Sequence, residues 1–260
     1  MSHETPNHFI KRLDYDFKPV KIDDIGNLLK ASFTTFLSNI KIITKIVLSI
    51  FLPLEVFKNC LFYSLGVQDD LDMLIRADMM LDAVFGSLTT PAIIFALMTV
   101  FQTGSAPSVK ESLRWGRRQW ARVFGNRWLA GAATVWGLFL LIVPGVIFAT
   151  WFVFTDAIVS IEGDDQRHVL RRSRELTKGH RWMLCFSGLL LFVLICVIGF
   201  CSSVALAFFD HWVISTLIDC FLDIMFESLL VMFLMAYLYL VSSEGMAGLS
   251  AGIEGNRLGN

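Results

Sequence analysis

The sequence is poor in charge. Only 17% of its 260 residues are Asp, Glu, Lys or Arg, while 55% are hydrophobic; soluble proteins carry about 25% charged residues. Three long stretches contain no charged residue at all: 83–109, 128–155 and 183–209. Each is long enough to cross a bilayer, because a transmembrane helix needs about 20 apolar residues. This scarcity of charge predicts a polytopic integral membrane protein.

Other absences narrow the class further. The net charge of −1 lacks the basic excess of a nucleic-acid binder, so we expect no nucleic-acid partner. Residues 1–22 form a polar tail without an apolar core, so no cleavable signal peptide is expected and the first span is its own insertion signal. The five cysteines include no Cys-x-x-Cys pair and are interpreted as packing residues.

Catalytic motifs are missing as well. The sequence has no His-Glu-x-x-His, no phosphate-cradling glycine loop and no Gly-x-Ser-x-Gly. We therefore predict a protein that is not an enzyme, with no catalytic residue, no cofactor and no metal site.

What the sequence does contain is six apolar segments. The segment 128–161 would measure about 51 Å as one straight helix, against a hydrocarbon core of about 30 Å. Pro144-Gly145 lies at its middle and is predicted to divide it into two short spans. The predicted spans are 40–65, 81–102, 128–143, 146–161, 182–208 and 213–241, within a membrane domain 23–241 followed by a tail 242–260.

The charges between the spans predict their orientation. Segments 104–127 and 162–181 are strongly basic, whereas segment 66–82 is acidic. The positive-inside rule places both basic segments on the cytoplasmic side, which requires an even number of crossings between them. The expected fold is all-α, with six transmembrane helices in three hairpins and both termini cytoplasmic.

Amphipathic helices are predicted before each hairpin. Arg167, Arg171, Arg174 and Lys178 fall on one helical face, and the basic residues from Lys110 to Arg122 repeat the pattern. A third helix follows Asp23, with an apolar stripe of Ile25, Leu29, Phe33, Phe36 and Ile40. We expect these helices to lie at the inner membrane surface.

Basic residues on these helices are candidates for contact with anionic lipid headgroups. They are Arg167, Arg171, Arg172, Arg174, Lys110, Arg114 and Arg118. The alternative is that they only determine topology, and both roles can hold together. The expected partners are a bilayer with anionic headgroups and a further membrane protein.

Acidic residues mark the last predicted span. Asp219, Asp223 and Glu227 lie at i, i+4 and i+8, so they share a helical face, and Lys58 of the first span lies at a comparable depth. Intramembrane carboxylates usually face a bundle interior or a wet cavity, which favours a cation or proton path. The alternative, which the length of the segment favours, leaves Asp219 and Asp223 at the outer interface.

Two further expectations concern buried charge. Glu227 precedes the uncharged residues 228–243, so it is expected among the helices with a polar partner such as a hydroxyl, a water or a lysine of the first span. Asp156 and Glu162 are candidates to bind arginines of the basic segments, or are solvated interfacial acids.

A family resemblance is carried by residues 135–185. It has three parts: the apolar run around Pro144-Gly145, the stretch ending at Val159-Ser160-Ile161-Glu162-Gly163, and the basic segment from Leu170 to Trp182. These segments resemble YciC-type bacterial inner-membrane proteins. They are also similar to the membrane domain fused to some glycerophosphodiester phosphodiesterases, whose catalytic domain has no counterpart here. The resemblance implies a six-helix protein of the bacterial inner membrane with no defined biochemical role.

Together these features predict a non-enzymatic membrane protein. The expected role is an envelope or lipid-organising factor or a partner-binding module. The alternative is a small transporter or channel that uses the acidic face of the last span.

Overall fold

A computed structural model of the chain describes residues 24–67, 70–140, 142–162, 166–206 and 211–257. These residues are helical, and no strand occurs among them, which confirms the all-α class. The predicted tail 1–22 lies outside the described residues. The helices are α1 Ile25–Ser38, α2 Ile40–Leu65, α3 Leu71–Leu81, α4 Ser87–Thr103, α5 Val109–Leu140, α6 Ile142–Trp151, α7 Thr155–Ile161, α8 Gln166–Leu176, α9 Arg181–Leu206 and α10 Trp212–Arg257.

Helix α1 packs with part of the predicted stripe. Asp24 caps it by accepting a hydrogen bond from the first backbone N–H at 2.7 Å. Leu29, Phe36 and Ile40 of that stripe pack against the core, whereas Phe33 is 52% exposed. Leu28 and Ser32 are also buried, and the Ser32 hydroxyl donates to the Leu28 carbonyl at 2.6 Å. A polar residue that is satisfied within its own helix can face the core, so the buried face extends beyond the predicted stripe.

The α3–α4 rod is nearly continuous, because a π-helical segment, Asp82–Gly86, joins the two helices. Helix α4 is largely enclosed, with Ile93 and Leu97 fully buried. It tolerates Pro91 within its second turn. That proline removes one backbone hydrogen-bond donor. The α3–α4 rod therefore has two irregularities in its backbone hydrogen bonding, the π-helical segment and Pro91.

Helix α5 joins two segments that the sequence separates. The predicted surface helix in 104–127 and the predicted span 128–143 form one helix, Val109–Leu140. No proline or other strong breaker lies between them, so nothing ends the first helix before the second begins.

The basic half of α5 runs antiparallel along α4. Trp115 stacks on Phe95 with ring centroids 5.4 Å apart, and Trp120 Nε1 donates to the Val84 carbonyl at 2.8 Å. The face toward α4 is made of small or amide residues, among them Ser112, Gly116, Gln119 and Asn126, which are buried. This face lets a highly charged segment pack closely while its basic side chains point outward.

The position predicted for the break between α5 and α6 is wrong, because Pro144 and Gly145 both lie inside α6. Residue 141, between the two helices, lies outside the described residues. Pro144 occupies the first turn of α6, where a missing backbone N–H leaves no hydrogen bond unmade. Gly145 instead serves the contact with α5, because a Cβ added at Gly137 would lie 3.0 Å from the Gly145 Cα.

Helix α8 is fixed across the junction of α6 and α7. The Ser173 hydroxyl donates to the Trp151 carbonyl at 2.7 Å and accepts from the Phe154 N–H at 3.2 Å. Helix α10 packs against α1, α2 and α9 and also contacts α4 and α8. Its buried Tyr237 donates to Glu162 at 2.6 Å, which links α10 to the end of α7. The helix continues through the predicted C-terminal tail as far as Arg257.

Three helical stretches are long and apolar enough to cross a membrane: Asp72–Thr103, Arg181–Ser202 and Trp212–Ser243. They coincide with the spans predicted at 81–102, 182–208 and 213–241. A shorter apolar helix covers Ile147–Ile161. The chain therefore has the elements of a membrane-associated protein, and six spans in hairpins go beyond these three stretches.

Candidate functional site

A cavity of about 470 Å³ lies between α2, the α3–α4 rod, α5, α7 and α10. We call it the acidic cavity. Its acidic lining residues are Glu55, Asp78, Asp82, Asp156, Asp219, Asp223 and Glu227. Arg127 and the rings of Phe51, Phe226 and Phe233 also line it. Charged groups are costly inside an apolar bundle, and the concentration of carboxylates around one cavity is typical of a functional site.

The acids form two rows. Asp219, Asp223 and Glu227 follow one another at intervals of four residues on α10, and Asp78 and Asp82 do the same on the α3–α4 rod. Four residues advance a helix by about 6 Å, so each row presents carboxylates at that spacing.

Lys58 holds one end of the cavity together. Its Nζ lies 2.5 Å from Glu55 Oε2, 2.5 Å from Asp78 Oδ1 and 3.1 Å from Asp219 Oδ2. The lysine side chain is 5% exposed, and that of Asp78 is 52% exposed. Lys58 therefore joins α2, α3 and α10 through charge, at the end where the cavity reaches the surface.

Asn59 supports the same end. Its amide nitrogen donates to Asp219 Oδ2 at 2.9 Å and to Thr216 Oγ1 at 3.2 Å. Both Asn59 and Thr216 are buried. These bonds orient the Asp219 carboxylate toward Lys58.

Arg127 holds the other end. Its Nε donates to Asp156 Oδ2 at 2.8 Å, and one terminal nitrogen donates to Thr90 Oγ1 at 2.6 Å. This bond realises the expected pairing of Asp156 with an arginine of the basic segments. It joins α5, α7 and α4 by one guanidinium.

Gly86, within the π-helical segment, makes room for that guanidinium. A Cβ added there would collide with Asp82 Oδ1 and lie 3.1 Å from an Arg127 terminal nitrogen. π-Helical segments often occur at functional sites. Here the segment brings the Asp82 carboxylate and the arginine over the same glycine.

Asp223 and Glu227 lie between the two ends. Asp223 Oδ2 is buried and has no hydrogen-bond partner among the described residues. Glu227 exposes some surface, yet protein surrounds its carboxylate, because the exposed part is cavity wall. Within the described part of the chain it makes no hydrogen bond or ion pair, although Arg127 lies close enough to interact electrostatically. The lysine considered as its partner, Lys58, pairs with Asp219 instead, two turns away.

All four residues of the predicted polar site therefore meet at this cavity. Asp219, Asp223 and Glu227 line it, and Lys58 lies at one end of it. Helix α10 begins at Trp212, so Asp219 and Asp223 lie within the helix. Their expected position at the outer interface stays a prediction.

Sequence reasoning missed the second acidic row and the arginine. In the sequence, Asp78 and Asp82 belong to the acidic segment 66–82, and Arg127 belongs to the basic segment 104–127, which predicts only the orientation of the spans. The available signal was the four-residue spacing of Asp78 and Asp82, which repeats that of α10. The distance in sequence between Arg127 and Asp156 gave no comparable signal.

The predicted lipid-contact residues are spread over two helices. Lys110, Arg114 and Arg118 are exposed on α5, and Arg171 is exposed on α8. Arg171 pairs with Glu175 at 2.8 Å, and this hydrogen bond and charge hold the pKa of Glu175 below its ordinary value.

The remaining basic residues of α8 differ in exposure. Arg172 is half-buried and lies 4.0 Å from Glu162. Arg174 packs over the Trp151 ring at 4.3 Å from its centroid, with Arg181 at 5.1 Å. Arg167 lies in α8, but its side chain is outside the described set.

Metal ligation is not the arrangement found at the cavity. Among the residues that the structure describes, no three His, Cys, Asp or Glu side chains are placed to hold a metal ion together. The paired carboxylates instead surround ammonium and guanidinium groups of the protein.

Comparison with known proteins gives one match. The model of the family described as "Domain of unknown function (DUF7847)" matches residues 79–242, which is more than half of the chain. No curated protein and no solved structure matches the chain significantly. The matched range contains the acidic row of α10, Asp82, Arg127 and Asp156, whereas Glu55, Lys58 and Asp78 precede it.

Proposed function

We propose that this chain, which belongs to the family of the domain of unknown function DUF7847, is a small membrane transporter that binds an organic cation in the acidic cavity. One observation carries the proposal. Seven carboxylates line the cavity, and among the described residues Lys58 and Arg127 are the basic side chains that pair with them. Uncompensated carboxylates inside an apolar bundle favour an added cation or proton.

The depth of the cavity supports transport. Glu227 lies near the middle of the candidate span Trp212–Ser243, and Thr90 lies near the middle of Asp72–Thr103. Both residues line the cavity. Substrate sites of secondary transporters commonly lie near the bilayer midplane, where irregular helices meet. The π-helical segment and Pro91 supply such irregularity in the α3–α4 rod.

The chemistry of the wall supports an organic cation. Three phenylalanine rings and several leucines share the wall with the carboxylates. Aromatic faces attract ammonium groups, and apolar side chains accept the carbon skeleton that bears them. A bare metal ion would use neither feature.

The setting belongs to the same proposal. We infer six spans with both termini cytoplasmic in a bacterial inner membrane, as the charge asymmetry of the loops and the YciC-like resemblance indicate. In this orientation Asp78 and Lys58 lie toward the outside, and the Arg127–Asp156 pair lies further in. The cavity then opens outward and is closed inward by that ion pair.

A second candidate function is supported by the basic surface. Exposed Lys110, Arg114, Arg118 and Arg171 favour contact with anionic lipid headgroups, as expected of a lipid-organising or partner-binding protein. Lipid contact would involve the exposed faces of α5 and α8. It would not involve the acidic cavity, so it does not explain why the carboxylates gather there. The transporter proposal accounts for the cavity and is therefore preferred.

The experiment is a binding measurement on the full chain in lipid nanodiscs. Isothermal titration with n-butylammonium and 1,4-diaminobutane at neutral pH is expected to show saturable binding. The double variant Asp223→Asn/Glu227→Gln is expected to weaken it by about tenfold or more, because a charge-assisted hydrogen bond contributes about 1.5–3 kcal/mol.

Asp72→Asn is the matched control. It removes an acid that is exposed and pairs only with neighbouring Arg76, outside the cavity. Unchanged binding is expected for this variant. The proposal fails if no ammonium compound binds the parent, or if Asp72→Asn weakens binding as much as the double variant.

A further inference from the structure

Asp223 and Glu227 are neighbouring cavity carboxylates on α10 that form no ion pair among the described residues; Asp82, which lies beside Arg127, is a third. Lys58 forms ion pairs with Asp219, Glu55 and Asp78. Arg127 forms an ion pair with Asp156 and lies beside Asp82. Between these two ends, Asp223 and Glu227 have no ion-pair partner among the described residues. Both face the same cavity from the same side of α10.

From this geometry, and resting on the proposed function, we infer that the ligand is a short linear α,ω-diamine with one ammonium group on each of these two carboxylates. The spacing fits such a ligand. The two residues are four apart on α10, a rise of about 6 Å. An extended chain gains about 1.2 Å per single bond, so five bonds between two nitrogens also span about 6 Å.

Lys58 shows how this wall receives an ammonium group. Its Nζ lies within 3.1 Å of oxygens from three different helices. It donates hydrogen bonds to Asp78 and Asp219 and forms an ion pair with Glu55. The α10 row continues the same environment one turn further along, at Asp223.

The wall between the charges suits a methylene chain. Leu222, Phe226 and Leu230 line the cavity beside the two carboxylates. They offer apolar contact to the carbons while the carboxylates take the two ends.

The fixed cations set an upper limit on length. Lys58 stands beyond Asp223 at one end, and Arg127 faces Glu227 at the other. A longer diamine or a triamine brings an ammonium group against one of these like charges. Chains of three to five methylenes are therefore expected to bind best.

The test is a ligand series on the full chain in nanodiscs. Isothermal titration compares n-butylammonium with diamines of three, four, five and eight methylenes and with spermidine. The diamines of three to five methylenes are expected to bind at least about tenfold more tightly than n-butylammonium, since each gains a second charge-assisted contact.

Single variants locate the two contacts. Asp223→Asn and Glu227→Gln are each expected to bring the affinity of 1,4-diaminobutane down to that of n-butylammonium, while Asp72→Asn keeps the difference. Retained n-butylammonium binding shows that a variant is folded, and the series on the parent protein decides the question without any variant.

The outcomes separate the two proposals. If n-butylammonium binds the parent as tightly as the diamines, or if the eight-methylene diamine binds best, the diamine inference is overturned and the cation site stands. If no amine binds, both proposals fail together.

Discussion

Lys58 is the residue on which α2, α3 and α10 converge through charge. Glu55, Asp78 and Asp219 all lie within 3.1 Å of its Nζ, and its side chain is 5% exposed. Buried ion pairs differ from surface pairs in one respect that matters here. Removing one partner leaves the other charges desolvated and mutually repelling, which costs far more than the loss of an exposed pair.

Replacement of Lys58 by Met therefore tests whether this cluster holds the helices together. Lys58→Met is expected to destabilise the protein by roughly 3–5 kcal/mol, because three carboxylates lose their shared cation. The measurement is thermal unfolding in detergent, with Lys45→Met as a control on the same helix. Lys45 is exposed, so its change is expected to stay within about 0.5 kcal/mol. Equal melting temperatures for the two variants would contradict the structural role of Lys58.

Gly86 provides a second residue-scale prediction. Gly86→Ala places a methyl group against Asp82 and 3.1 Å from the Arg127 guanidinium. The expected cost is about 1–3 kcal/mol, as for other overpacked sites, and the Arg127–Asp156 bond is expected to shift.

Gly131→Ala is the matched control for that change. Gly131 lies in the middle of α5, and an added Cβ there meets no atom within 4 Å. Its replacement is expected to be neutral or stabilising by up to about 1 kcal/mol, because Ala favours helix over Gly. Thermal unfolding of both variants in the same detergent compares them directly. If both substitutions behave alike, close packing at Gly86 is not what positions Arg127.

At the scale of elements, the sequence predicts helices well where hydrophobicity decides alone. The apolar stretches 81–102, 182–208 and 213–241 each coincide with a helix able to cross a membrane. Prediction is weaker where two local signals compete. Charge separates the basic segment 104–127 from the apolar one after it, yet helix propensity runs through both, and α5 is continuous.

Pro144 shows the same limit for helix breaks. Proline disrupts the interior of a helix and is accommodated in its first turn, and the sequence does not reveal which position it takes. In the structure α6 begins two residues earlier, so Pro144 falls in the tolerated position. The reversal itself is visible in the contact of Gly137 with Gly145.

The candidate site was predictable only along a single helix. Helical spacing shows that Asp219, Asp223 and Glu227 share a face. It does not show that Asp78, Asp82 and Asp156 approach that face from other helices, because those contacts depend on the packing of α10 against its neighbours. Long-range ion pairs such as that of Arg127 with Asp156 leave no periodic trace in one sequence.

At the scale of the whole molecule, charge is distributed along the axis of the candidate spans. Acidic residues surround the start of the Asp72–Thr103 stretch, whereas Lys110 and Arg114 follow its end. The basic half of α5 returns along α4 and ends at Arg127, which lines the acidic cavity together with Asp78. A membrane with a cytoplasmic anionic leaflet would fix this dipolar arrangement in one direction.

Membrane orientation can be measured with single cysteines in a variant whose five native cysteines are replaced. Asp72→Cys, Ser105→Cys and His168→Cys place thiols at exposed positions. An impermeant maleimide added to whole cells is expected to label Cys at 72, and to label Cys at 105 and 168 only after permeabilisation. Positions 105 and 168 share a side because α5 leaves it and α6 with α7 return to it.

Two results would overturn this arrangement at different points. Labelling of positions 105 and 168 from opposite faces would mean that the α5–α6 reversal does not return the chain to its starting side. Labelling of positions 72 and 105 from the same face would mean that the α3–α4 rod does not cross the membrane. In that second case Glu227 and Thr90 lose their expected depth, and the acidic cavity no longer lies where a transporter needs it, whatever amines it binds.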